Sequence, residues 1–401
     1  MSRGDGTGRP GATRDDRVWQ AGFLVGSALG VAATVVGRRM ERSARRGLVD
    51  WPAAERVAAG RLRNAPGSLT PAELAAAEPA YAETMARIVP RLSAELGTEL
   101  PGVVARSGVV DRAGWVRANS ASFAQLIGKL EGTLLDQILP PGGGIGQASI
   151  ALANRWVTTR QIGFMLGFMG TRVLGQYDLA LLSAETTPGR LLFVEENIRQ
   201  TARNLGVPLD AFRTWIALHE TTHAFEFEAH PWLRPYLADR LERQLAGFSG
   251  GTKRIAPEML RRLGRSLRGE AAGEHWMERL MSDEQRRLFR ETQAVMSLLE
   301  GFSDYIMDEV GRDLVPDVER ISERFHARRE QRKSGFERAI MRLTGMDMKL
   351  EQYKKGERFV AAIAAAGGKP ALERLWAGPE SLPRDGEIEA PDRWLARVMV
   401  G

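Results

Sequence analysis

The heptapeptide Leu218-His219-Glu220-Thr221-Thr222-His223-Ala224 constrains this chain more than any other stretch. It sits in a run free of glycine and proline that starts after Asp210 and ends at His230-Pro231, so it reads as one helix with Asp210 as N-cap. Residues four apart on an α-helix lie one turn apart on one face, which aligns His219 with His223. Both imidazoles can then reach one zinc ion at about 2.0–2.1 Å. Glu220 falls beside the metal rather than on it, where a carboxylate can take a proton from water. With only 5 histidines in the chain, a chance H-E-x-x-H has an expectation well under about one in a hundred. The plain alternative is two surface histidines on an ordinary helix. Phe212, Trp215, Ile216, Leu218 and Phe225 argue against it, because buried imidazoles need a partner for each ring.

Two histidines do not complete a catalytic zinc site, which takes a third protein ligand and an open position. The chain has no cysteine, so that ligand is a histidine or a carboxylate. The H-E-x-x-H-x-x-G-x-x-H pattern fails: its glycine position holds Glu226 and its third-histidine position holds Ala229. A second helix, from Glu291 to Val310, is apolar at Val295, Met296, Leu298, Leu299, Phe302, Ile306 and Met307, yet carries Glu300 and Asp304 on one face. Carboxylates in such a run are costly unless paired or metal-bound. Glu300 as third ligand, with Asp304 accepting a hydrogen bond from the second nitrogen of a zinc histidine, accounts for both. Arginine pairing at a helix surface is the competing account. Gly301 lets the two helices approach closely, and Ser282-Asp283-Glu284-Gln285 is a capping box for the segment leading in.

The rest of the chain is mostly helical in pattern. Residues 1–17 read as a disordered tail. Residues 18–37 carry no charge and are long enough to cross a bilayer, with Gly22, Gly26 and Gly30 at four-residue spacing and Trp19 at one end. A membrane anchor, a helix buried against the main domain and a cleaved signal peptide all remain open for them. A basic linker, 38–47, follows; if 18–37 is an anchor, its arginines tilt the main domain slightly towards the cytoplasm. An N-terminal helical part spans 48–185 and the catalytic part 186–401. Thr70-Pro71-Ala72-Glu73 starts a helix running past Met85, another runs from Asp111 towards Leu135, and residues 140–144 form a turn. Residues 147–174 read as a buried helix, since Arg155, Arg160 and Arg172 interrupt them. Arg190 to Val194 is the best strand candidate. The net charge of +6 and pI of about 9.8 come without interleaved aromatics, so they read as solvated helix faces and no nucleic-acid partner is expected. The arginines of 317–340 fit that account, as i,i+4 pairs with Glu319, Glu323 and Glu330.

H-E-x-x-H followed by E-x-x-x-D resembles the glutamate-ligand branch of the zincins, the thermolysin-like arrangement. More specifically, the chain resembles the zincin-like family known as DUF2342, described as zinc-dependent metalloproteases or hydrolases, with one branch linked to coenzyme F420 biosynthesis. The matching stretches are Gly47–Trp51, Val110–Asn119, Gly175–Asp178, the histidine helix, Met296–Gly301, Lys349–Tyr353 and Pro379–Pro383. Together they span 47–397. The resemblance implies a mainly α, zincin-like fold with a small β element, zinc held by His219, His223 and Glu300, and Glu220 as base. A histidine is common in the family where this chain has Phe302, which removes one contact near the site but no ligand.

The chemistry expected is hydrolysis of a peptide bond by a zinc-activated water, with Glu220 passing its proton to the leaving amine. The strand at Arg190 is positioned to bind an extended peptide along its edge. An oxyanion donor is also required, and His230, Tyr305, His326 and Tyr353 are the candidates, each with an equally ordinary structural role. A zinc hydrolase of a small amide or ester, and a non-catalytic zincin scaffold or membrane adaptor, are the alternatives.

Overall fold

A computed structural model describes residues 46–138, 144–178, 189–244, 282–330, 346–384 and 386–399. The apolar stretch 18–37 and the turn at 140–143 lie outside these residues. Among the described residues no helix is long and apolar enough to cross a membrane.

The helices are α1 (Trp51–Leu62), α2 (Pro71–Ala75), α3 (Glu78–Leu96), α4 (Arg112–Ile138), α5 (Gly144–Gly170), α6 (Glu195–Leu205) and α7 (Leu209–Ala229). They continue with α8 (233–244), α9 (Asp283–Leu314), α10 (Val318–Glu330), α11 (Met346–Leu375) and α12 (Pro391–Val398). Three short strands join them: β1 (Ser107–Val110), β2 (Gly175–Asp178) and β3 (Arg190–Val194). The chain is therefore mainly helical with one small sheet. The described residues fall into two compact units, one holding 46–54, 131–138 and 144–162, the other holding the rest. In the first, the Asp50 amide donates to Thr159 Oγ1 (2.9 Å) and Arg155 lies 3.7 Å from Asp50. Ile150, Trp156 and Val157 of α5 are exposed there, so the buried helix expected over 147–174 is only partly buried.

In the second unit α7 is the central element. Fifteen of its residues are buried, and it packs against α3 on one side and α9 on another. Phe212 stacks on Trp215, and Phe325 of α10 meets the Trp215 ring edge-on at 4.8 Å between centroids. Thr221 and Thr222 are fully buried because each hydroxyl donates back to a carbonyl four residues earlier, of Ala217 and Leu218. The pair between the two histidines can thus be polar without an unmet hydrogen bond. The helix starts one residue before the expected cap: Pro208 occupies the N-cap position, and Asp210 instead binds Arg213 from the first turn (2.9 Å).

The capping boxes at Thr70 and Ser282 form as the sequence indicates. The helix begun at Thr70, however, stops after Ala75 and restarts at Glu78. Pro79 explains the break, since it has no amide to donate to the Ala75 carbonyl and restricts the residue before it. The α10 arginines also differ from the expected pattern: Arg324 donates to the Leu205 and Gly206 carbonyls at the end of α6 (2.7 and 3.0 Å).

The sheet order is β1-β3-β2, with β1 parallel and β2 antiparallel to β3. The strand at Arg190–Val194 is therefore central, with both edges taken, and cannot receive a peptide by edge pairing. The outer antiparallel edge belongs to β2, which packs against α7. The Val194 amide donates to the Leu174 carbonyl (2.8 Å), so in this register Gly175 and Tyr177 turn their backbone groups away from β3, towards α7.

Gly301 does allow a close helix approach, but of α11 rather than α7. A Cβ at Gly301 would run into the backbone of Gly356, and one at Gly356 into that of Ser297. This glycine pair brings α11 onto the back of α9 while Glu300 stays turned towards α7.

Candidate metal centre

Helix periodicity on α7 and α9 brings His219, His223 and Glu300 together: one potential ligand atom from each lies within 4.8 Å of the others. His219 Nε2 is 3.7 Å from Glu300 Oε2, and the two imidazoles meet nearly edge-on at 4.7 Å between centroids. All three are partly buried, with side chains 14–18 % exposed. Their spacing suits one shared ion. Two imidazoles and one carboxylate are a donor set for Zn²⁺ rather than for an all-oxygen cation such as Mg²⁺.

The electrostatics agree. Burial works to lower the pKa of His223, yet Glu226, Glu300 and Glu220 outweigh it and bring it up to about 10. Glu220 is driven up to about 7, chiefly by burial, with Glu300 adding to the rise and His223 opposing it. A cluster of carboxylates that pulls a proton onto its histidine favours positive charge at this point. A dication supplies that charge.

Glu220 is held by β2. The Tyr177 backbone amide donates to its carboxylate. Gly175 makes the room: a Cβ there would lie 2.6 Å from Glu220 Cγ and 2.8 Å from Oε1. The sequence reading missed this role of Gly175–Tyr177.

The other expected residues divide. Asp304 Oδ1 lies 4.0 Å from His219 Nδ1, beyond hydrogen-bond length, and Met307 Sδ is nearer at 3.2 Å. The closest carboxylate partner of a site histidine is instead Glu226, whose Oε2 is 2.7 Å from His223 Nδ1. Glu226 occupies the position that excluded the three-histidine pattern. The missed signal was its spacing, three residues after His223 and so on the same face. Among the oxyanion candidates, His230 ends α7 and stacks on Trp376 (5.1 Å, 9°), and burial lowers its pKa to about 4. Trp376 also receives Phe302 edge-on at 5.3 Å, so that position is packed into the core. Tyr305 follows Glu300 by five residues, about 140° round the helix, and burial and the charges of Glu309 and Glu95 raise its pKa. Neither is brought to the ligand cluster by any recorded contact. The side chains of His326 and Tyr353 lie outside the described residues.

The pattern defining the zincin-like metallopeptidases matches residues 49–395. A crystal structure from Chloroflexus aurantiacus, described as that of "a putative hydrolase with a novel fold", is 35% identical and covers 87% of this chain and 98% of its own, with a TM-score of 0.61. No curated protein matches the chain. A matched pattern of this length, over a helical fold that assembles two histidines and a glutamate on neighbouring helices, assigns the chain to the zincin-like metallopeptidase family.

Proposed function

We propose that this protein is a zinc-dependent hydrolase that cleaves amide bonds, with a peptide as its substrate. The observation that carries the reading is the convergence of His219, His223 and Glu300 beside a buried carboxylate that is not part of the triad. Zinc bound by those three residues would activate a water and polarise the carbonyl under attack. The protein supplies the remaining parts. Glu220, raised to about 7, has an affinity suited to taking a proton from water and returning it to the leaving nitrogen. The Tyr177 amide and the space above Gly175 fix where its oxygens sit.

A second reading is a small non-peptide amide or ester. The covered edges of β3 favour it, because the expected peptide rail is already paired. The test is metal analysis of wild type and Glu300→Ala, with cleavage of a peptide library by wild type and Glu220→Gln. The peptidase reading expects stoichiometric zinc in wild type, loss in Glu300→Ala, and zinc without cleavage in Glu220→Gln. Hydrolysis of small esters or amides but no peptides would select the second reading. Zinc without any turnover would leave a non-catalytic scaffold.

A further inference from the structure

We infer that Glu226, braced by Ser303, is the residue that orients His223 for metal binding, in place of the carboxylate at the E-x-x-x-D position. The inference rests on the zinc-site reading above. Glu226 lies one turn beyond His223 on α7, and its side chain is fully buried. One carboxylate oxygen is 2.7 Å from His223 Nδ1, and the other is 3.4 Å from the Ser303 hydroxyl. Ser303, also fully buried, lies 3.2 Å from the same Nδ1.

The two halves of the device repeat one spacing: His223 and Glu226 are three apart on α7, and Glu300 and Ser303 are three apart on α9. Each helix thus presents a ligand and, one turn on, a group that supports the ligand of the other helix or its own. An Nδ1–H donated to Glu226 fixes the tautomer and leaves the Nε2 lone pair for a metal. The carboxylate also makes that nitrogen a stronger base and so a stronger ligand. His219 is held differently, with a thioether nearest its Nδ1 and Asp304 farther off. Glu226 is a positioning residue: it acts on the metal only through His223.

The decisive measurement is zinc affinity by chelator competition, together with the ¹⁵N shifts of the His223 ring in the zinc-bound protein. Wild type, Glu226→Gln, Ser303→Ala and Asp304→Asn are compared at one pH. Glu226→Gln keeps the shape of the side chain and removes its charge, so it preserves packing. The expected result is a loss of about 10- to 100-fold in zinc affinity for Glu226→Gln, with a smaller loss for Ser303→Ala. Shifts that report Nδ1–H and Nε2–metal in wild type complete the expectation. Wild-type affinity in Glu226→Gln overturns the inference while the zinc site stands, whatever Asp304→Asn does through His219. A role confined to packing would lower the melting temperature of Glu226→Gln without changing zinc affinity, and this too overturns it. Absence of zinc from the folded wild type would instead remove the parent reading.

Discussion

Replacing Gly175 with alanine places one methyl group against the proposed base, whose atoms are its three nearest neighbours. Its Cβ would sit 2.6 Å from Glu220 Cγ and 2.8 Å from Oε1, where ordinary contact starts near 3.4 Å. The glutamate must therefore retreat by about 0.8 Å, or β2 must bend away by as much. Misplacing a catalytic group by about 1 Å costs up to about 10²-fold in rate, so a fall of 10- to 100-fold in kcat/KM is expected, about 1.4–2.7 kcal/mol of barrier. Zinc content is unchanged, because Glu220 is not in the triad of converging ligand atoms. The assay is initial-rate cleavage of the best library substrate, with zinc stoichiometry measured on the same samples. Gly108→Ala is the control: it lies on β1 of the same sheet, and a Cβ there meets nothing within 4 Å. Wild-type turnover in Gly175→Ala would refute the placement of Glu220 as base. Equal losses in both variants would show that the sheet tolerates no added methyl group, and would refute the argument from local space.

Other perturbations test separate parts of the structure. Gly301→Ala should destabilise by about 1–3 kcal/mol or more, read as a lowered midpoint in urea, because its methyl meets the backbone of Gly356. Glu195→Gln should cost about 3–5 kcal/mol in the same assay. Its carboxylate is completely buried, bonded to Arg213 and to the Tyr81 hydroxyl (2.7 Å), and the change leaves a buried arginine with only the exposed Asp210 as a charge partner. Zinc binding at pH 8–9 should release about one proton per ion, measured calorimetrically in buffers of different ionisation enthalpy. With its pKa at about 10, His223 carries an extra proton in the metal-free site, and that proton must leave for Nε2 to bind. Affinity should accordingly rise about tenfold per pH unit across that window and level off above pH 10; pH-independent affinity would contradict the arrangement around His223.

What the sequence disclosed was what depends on local spacing. Positions four apart on one helix fix His219 with His223 and Glu300 with Asp304, whatever the rest of the chain does. Capping boxes are complete within four residues, and both were readable. The limits of β3 were readable from the apolar run Leu191–Val194. Its place in the sheet was not, because the parallel pairing of Ser107 with Leu191 joins residues far apart in sequence. The strand expected to bind a peptide along its edge is for that reason a central one with both edges paired. Gly301 was recognised as a contact point but given the wrong partner, for the same reason: Gly356 lies in a helix whose docking no local pattern announces. The break before Pro79 was different. Proline geometry made it readable, and the strong capping box at Thr70 masked it.

Charge balance explains why the site was legible at all. Glu220, Glu226, Glu300 and Asp304 bring four carboxylates around two imidazoles, in a helix pair otherwise chosen for apolar packing. Such an excess of buried negative charge is unfavourable in any fold that does not use it. Part of the cost is met without metal, since Glu226 and His223 share a proton and Glu220 holds its own up to about pH 7. Those protons occupy the place a dication would take, and each can leave when one arrives. Glu220, Glu300 and Asp304 thus mark α7 and α9 in the sequence, whereas Glu226 reads only as breaking the three-histidine pattern. Acidic side chains set against an apolar packing pattern are conspicuous in a sequence, and functional sites are where such conflicts are expected.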